Sequence, residues 1–284
     1  MKAPISNKQY HFLVSLPRTG NTLLASILNQ NSEIAVTPNS ITFELMKKII
    51  SLKDDSLFLN YPDHLSLDNV LNNLFNNYYA HWKQKYIIDR SLASLPGNRN
   101  FIKKYINQDV KYIVLVRDLL EVLSSFLKWA HDEPSSFLNK YSSIEEKLNF
   151  LMRKDGMIAM SLTAIQELYK HEKLENICMI KYHDLASNPE YQINKIYEFL
   201  NIKKFNHNFF DLNQFELNGI KYDDSVLGHN LHKIKESKHR DQVIYFYRKL
   251  SNNKKTLKEL GNEFNISKER VRQIEKKIIN NKTN

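Results

Sequence analysis

Tyr10-His-Phe-Leu-Val-Ser-Leu-Pro-Arg-Thr-Gly-Asn-Thr22 is the stretch from which the fold reads. Tyr10 to Leu16 form a short apolar run of strand length, and Pro17 to Thr22 form a polar loop around Gly20. Leu23, Leu24, Ile27 and Leu28 then recur at helical spacing. Strand, loop and helix in this order open a βαβ unit. The pattern continues along the chain. Lys85-Tyr-Ile-Ile-Asp89 reads as a second strand, and Val110-Lys-Tyr-Ile-Val-Leu-Val116 as a third, apolar enough to be buried on both faces of a parallel sheet. Asn176-Ile-Cys-Met-Ile-Lys-Tyr182 reads as a fourth. Helices are predicted over residues 64–82, from Arg117-Asp118 through Ala130, over 156–172, and over 189–200 after the start signal Asn188-Pro189. Strands alternating with helices imply an α/β domain of three layers around a central parallel sheet.

Composition bounds the rest. The 284 residues are 42% hydrophobic and 25% charged, ordinary for a globular chain with a sizeable core. The single cysteine, Cys178, lies in an apolar run and reads as a small core residue, so an intracellular, cytoplasmic protein is expected. No apolar leader is visible in the first residues, and no apolar run is long enough to span a membrane. No metal-ligand cluster stands out. The net charge of +10 is uneven: residues 237–284 carry 13 Lys+Arg against 5 Asp+Glu. A compact basic segment suits a polyanion, nucleic acid first among them, or serves as a solvated tail. Two domains are expected, 1–236 and 237–284.

Chemistry enters at the loop. A turn that runs from a strand into a helix offers free backbone N–H groups and a positive dipole end, which suit a phosphate. Gly20 permits close backbone approach, and Thr19 and Thr22 add hydroxyls; the Gly-Lys-Ser/Thr of a Walker A loop is missing. A second signal is Val114-Leu-Val-Arg-Asp118, with Ser125 eight residues after Arg117. An arginine at a strand end can fork onto a phosphate.

Together the two motifs resemble the 5′-phosphosulfate loop and the 3′-phosphate motif of sulfotransferases that use 3′-phosphoadenosine 5′-phosphosulfate (PAPS). Leu16-Pro-Arg-Thr-Gly-Asn-Thr-Leu-Leu24 is similar to the loop of tyrosylprotein sulfotransferases and their bacterial relatives. Asp89-Arg90-Ser91 falls where relatives carry a basic residue facing the transferred group. Lys181-Tyr182-His-Asp-Leu-Ala-Ser-Asn-Pro189 and Leu227-Gly-His-Asn-Leu-His-Lys233 resemble later segments of the family, over residues 9–235 in all. The resemblance implies a transferase moving a sulfuryl group from PAPS to a hydroxyl or amine acceptor without a metal. It implies that Arg18, Thr19, Gly20, Asn21, Thr22 and Leu23 hold the 5′-phosphate, mainly through the amides of Thr19 to Thr22. Arg117 and Ser125 would select the 3′-phosphate, with Tyr182 also at the nucleotide, and Arg18 and Arg90 would hold developing charge. Tyrosylprotein sulfotransferases carry a glutamate base about 21 residues after the loop arginine. Asn39 stands there and cannot take a proton. Glu44, Asp89 and His232 are the candidate bases.

Residues 238–281 resemble region four of bacterial RNA polymerase sigma factors, a helix-turn-helix. Leu257, Leu260, Phe264, Val271 and Ile274 form its inner face, and Ser267 caps its second helix. The resemblance implies that Lys268, Glu269, Arg272 and Gln273 face duplex DNA. A second reading follows: a DNA-binding, RNA polymerase-associated regulator with a degenerate sulfotransferase-like domain.

Overall fold

The computed structural model describes residues 8–106, 109–209, 212, 216–223, 256–259, 268, 269, 271 and 272. Two compact units emerge, Met1–Val116 with Met157–Tyr222, and Arg117–Gly156 with Asp223–Asn284.

The first unit is built on five parallel strands: β1 (Gln9–Ser15), β2 (Ile34–Val36), β3 (Tyr86–Asp89), β4 (Tyr112–Val116) and β5 (Ile177–Lys181). Their order is β2-β3-β1-β4-β5, with Phe12 opposite both Asp89 and Tyr112. The first helix, α1 (Asn21–Leu28), follows the quoted loop. Then come α2 (Thr42–Ser51), α3 (Ser56–Asn60), α4 (His64–Asn72), α5 (Leu74–Tyr78) and α6 (Pro96–Tyr105). The central strands are buried along nearly their whole length, which explains why β1, β3 and β4 read as continuous apolar runs. The edge strand β5 alternates instead, with Cys178 and Ile180 buried and Met179 turned outward.

The expected α/β architecture is the one found, with differences of detail. Strand β2 has three residues and went unread in the sequence. Its free edge is satisfied by one side chain: the Asn29 amide donates to the Val36 carbonyl (3.2 Å) and accepts from the Val36 N–H (2.7 Å). The single helix expected over 64–82 is two helices. At the break the Asn73 side chain donates to the Asn69 carbonyl (2.9 Å), the back-bonding that makes asparagine a poor helix interior residue. An aromatic cluster then seats α5 on the sheet. Phe75 meets Tyr10 at 5.4 Å and Phe43 at 5.9 Å between ring centroids.

The second unit contains α7 (Leu119–Asp132) and α8 (Ile144–Met152). Asp118 caps α7, accepting from the N–H groups of Leu120 and Glu121, and Ser143 with Glu146 forms a capping box on α8. In the first unit, α9 (Met157–His171) precedes β5, and α10 (Tyr182–Ser187) and α11 (Pro189–Leu200) follow it. Asn188 caps α11 by accepting from the Tyr191 N–H, as the Asn-Pro pair implied. A hairpin of β6 (Glu216–Leu217) and β7 (Ile220–Lys221) turns on Asn218-Gly219, both at positive φ as a tight two-residue hairpin demands. No described helix is long and apolar enough to cross a membrane.

Candidate active site

The loop after β1 is held from within. The Leu16 carbonyl accepts from the Thr19 hydroxyl (2.7 Å) and from the Asn21 amide (3.1 Å). Thr19 is fully buried and Asn21 nearly so. Their side chains therefore staple the loop, and what Thr19 can offer a ligand is its main-chain N–H. Arg18 and Gly20 stand at φ +62° and +89°. Gly20 is the N-cap of α1 and no side chain caps that helix, so its first-turn N–H groups lack an intrahelical acceptor. A Cβ on Gly20 would lie 2.6 and 2.8 Å from ring carbons of Tyr182. The fold thus lays Tyr182, the first residue of α10, on the loop glycine that the sequence paired with it only by resemblance. The buried Oδ1 of Asn21 has no side-chain or backbone partner among the described residues. An uncapped helix start and a left-handed glycine together fit a nucleotide phosphate.

Beside this loop lies a cavity of about 280 Å³, lined among others by Ser15, Pro17, Ser40, Phe43, Glu44 and Arg90. Arg90 follows the last residue of β3. Its N–H donates to the Thr37 hydroxyl (2.7 Å), and its Nη1 donates to the Pro38 carbonyl (2.6 Å). Burial lowers its pKa from the ordinary value, with Tyr222 acting the other way. Arginine stays charged at neutral pH all the same. Asn39 is exposed and donates its amide to the Tyr222 hydroxyl (2.9 Å).

Of the three candidate bases, Glu44 reaches the cavity from an exposed position and pairs with Lys47 at 2.7 Å. His232 lies outside the described residues. Asp89 is wholly buried beneath the cavity. Its Oδ2 accepts from the Ser40 hydroxyl (2.7 Å), the Thr42 hydroxyl (3.2 Å) and the Tyr79 hydroxyl. Burial pushes Asp89 above the usual carboxylate range, although the hydroxyls of Tyr79, Ser40 and Thr42 pull the other way. Tyr79 is pushed well above its ordinary value by burial and by Asp89, so it remains a fixed donor. Ser40, Thr42 and Tyr79 escaped the sequence reading. The one available signal was Ser40, placed where a hydroxyl can accept from the start of α2, as it does from the Thr42 N–H (3.2 Å).

In the second unit, Arg117 follows β4 in the chain and donates from Nε to Glu121 Oε2 at 2.9 Å. Glu121 is thus an ion-pair partner of Arg117, while Asp118 caps α7. Ser125 is half-buried four residues beyond Glu121, and Ser124 is buried. Among the described residues no three His, Cys, Asp or Glu side chains form a metal-ligand group. Of the tail residues, Lys268, Glu269 and Arg272 are helical and exposed, and Val271 is buried. Gln273 and the segment Leu227–Lys233 lie outside the described residues.

The family model for the sulfotransferase domain matches residues 8–264. The chain belongs to the sulfotransferase family. This sulfotransferase is similar to several solved structures. One is the sulfotransferase from Alicyclobacillus acidocaldarius, at 13% identity over 93% of this chain and 98% of that one, with a TM-score of 0.48. Another is the sulfotransferase domain of the Synechococcus PCC 7002 olefin synthase, at 17% identity over 88% and 98%, with a TM-score of 0.47. A third is a mouse sulfotransferase complexed with PAP, at 15% identity over 85% of each chain, with a TM-score of 0.45. No curated protein matches the sequence at a significant level.

Proposed function

We propose that this sulfotransferase takes its sulfuryl group from PAPS and passes it to a hydroxyl or amine acceptor seated in the cavity beside the loop. The observation that carries the reading is the stapled glycine loop opening onto a cavity lined by a half-buried, charged Arg90. PAPS, when bound, supplies the activated sulfuryl group. The chain's own residues do the rest. The amides of Thr19, Gly20, Asn21, Thr22 and Leu23 hold the 5′-phosphate at the start of α1, and Tyr182 closes over Gly20. Arg18 and Arg90 hold the charge that develops on the equatorial oxygens, by analogy with phosphoryl transfer. Arg117 and Ser125 select the 3′-phosphate, and a phosphate there displaces the Glu121 carboxylate from Arg117. A cytoplasmic location and a boundary near residue 236 belong to the same reading.

Calorimetry with the product nucleotide 3′-phosphoadenosine 5′-phosphate (PAP) tests this without knowledge of the acceptor. PAP should bind far more tightly than adenosine 5′-phosphate. Arg117→Ala should erase most of that preference, since a charge-assisted hydrogen bond contributes about 1.5–3 kcal/mol. Equal affinities for the two nucleotides in the unaltered protein would overturn the donor assignment.

The DNA-binding reading has a narrower base. Thr256 and Glu259 form a reciprocal cap, with the Glu259 N–H donating to the Thr256 hydroxyl (3.2 Å) and the Thr256 N–H to Glu259 Oε2 (2.6 Å). Exposed Lys268 and Arg272 add positive charge. A tail that binds duplex DNA makes affinity fall with salt, with a log–log slope of about −0.9 per phosphate contacted. Fluorescence anisotropy should then show binding by the full chain and its loss in a truncation ending at Ser237. Equal, weak binding by both removes this reading and leaves the enzyme.

A further inference from the structure

Given the donor and cavity assignments above, on which this inference rests, one question is where the acceptor's proton goes. Asn39 cannot take it. Glu44 is exposed and engaged with Lys47. Asp89, a wholly buried carboxylate whose pKa burial raises, does not line it. Between the two stands Ser40, which lines the cavity and donates its hydroxyl to Asp89 Oδ2 at 2.7 Å.

We propose that Ser40 relays the acceptor's hydroxyl proton to Asp89. Ser40 Oγ already accepts from the Thr42 N–H, which fixes its orientation, and it lies 2.9 Å from Thr42 Oγ1 and 3.4 Å from the Tyr79 hydroxyl; with the single protons of both those hydroxyls donated to Asp89 Oδ2, a lone pair of Ser40 is left for a cavity hydroxyl. Thr42 and Tyr79 donate to the same Oδ2, so the carboxylate is held in one position. In the transfer step, the acceptor oxygen forms a bond to sulfur as the bond from sulfur to the 5′-phosphate oxygen breaks. The electron pair leaves on that phosphate oxygen. The acceptor's proton passes to Ser40 Oγ, and Ser40's own proton passes to Asp89 Oδ2. The chain of hydroxyls thus makes a buried carboxylate into a base for a group it does not touch, and the cavity's acceptor is an un-ionised alcohol.

The surroundings set the pH at which this works. Tyr79 and Tyr78 at the end of α5, Ser40 and Thr42 at the start of α2, and Arg90 and Ser91 next in the chain are the groups around Asp89. Burial raises its pKa, so Asp89 is a stronger base than an ordinary carboxylate yet must still be ionised to act. Carboxyl carbon-13 resonances of labelled protein should therefore show Asp89 titrating above the usual carboxylate range, and the relay requires its ionised form at the working pH. A carboxyl that stays protonated through neutral pH overturns the proposal outright.

Kinetics supply the second readout. The probes are water, which hydrolyses PAPS to PAP and sulfate, and 4-nitrophenol above its own pKa, which is already an anion. Ser40→Ala and Asp89→Asn should each slow hydrolysis about 100-fold, at the low end for general-base catalysis. The same variants should leave transfer to the phenolate within about threefold, because that acceptor has no proton to lose. Ser40→Thr should recover most of the hydrolysis rate, and the rise of rate with pH should vanish in Asp89→Asn. Equal loss with both probes makes the cluster a structural knot and overturns the relay, as do unchanged rates. Calorimetry with PAP separates the layers: failure of the unaltered protein to bind it overturns the donor reading, whereas intact binding with unchanged variant rates overturns the relay alone.

Discussion

Arg90→Ala should lower turnover by about 10²–10³-fold and leave PAP affinity within about threefold. The reasoning is electrostatic. Removing one preorganised donor from a water-excluded site costs about 2.7–4 kcal/mol of transition-state stabilisation. Arg90 is preorganised in this way, and bound nucleotide and acceptor would exclude water around it. Its backbone is tied to Thr37 and its guanidinium to the Pro38 carbonyl, so it is already oriented at the cavity wall before any ligand arrives. Sulfuryl transfer builds charge beyond the nucleotide's own phosphates, so the product nucleotide should barely register the loss. Arg90→Lys should recover part of the rate, since it keeps the charge and loses the fork. Single-turnover rates with calorimetry on the same samples decide it. A loss of PAP affinity with normal turnover would show that Arg90 holds the nucleotide instead.

The second large effect is expected at Gly20. Gly20→Ala meets two penalties at once. A left-handed backbone costs a residue with a side chain about 1–2 kcal/mol. The new Cβ would also sit 2.6 Å from the Tyr182 ring, an overpacking that typically costs about 1–3 kcal/mol more. Either the loop leaves its geometry or Tyr182 leaves the loop, and both remove the phosphate cradle. PAP binding should become undetectable by calorimetry at concentrations that saturate the unaltered protein. Adding Tyr182→Ala should relieve the collision and leave the backbone strain, recovering part of the lost stability in denaturant unfolding. Gly97 is the control. It lies exposed in the first turn of α6, and a Cβ there meets nothing within 4 Å. Gly97→Ala should be neutral or stabilise by up to about 1 kcal/mol. Normal PAP binding in Gly20→Ala would mean that the nucleotide does not use this loop.

The expected strands β1, β3, β4 and β5 are found within one or two residues because each is a local apolar run bounded by polar residues. The loop of Pro17–Thr22, the start of α11 at Pro189 and the core position of Cys178 were legible for the same reason: each depends on neighbours in the chain. Strand β2 was not, because its three residues are held by pairing with β3 and by the distant amide of Asn29. Nor was the break between α4 and α5, where one asparagine turns back on its own helix.

The sequence by itself determined the alternation of strands and helices, the phosphate-type loop and the basic residue after β3, since backbone propensity, apolar periodicity and local turn chemistry suffice for these. Only the tertiary structure decided what those residues do to one another. Tyr182 meets Gly20 across 162 positions of chain, and Ser40, Thr42 and Tyr79 reach Asp89 from the start of α2 and the end of α5, segments that share no motif with it. A buried carboxylate's partners are chosen by how α2 and α5 pack on the sheet through Phe43, Phe75 and Tyr10, and that packing depends on contacts far apart in the chain.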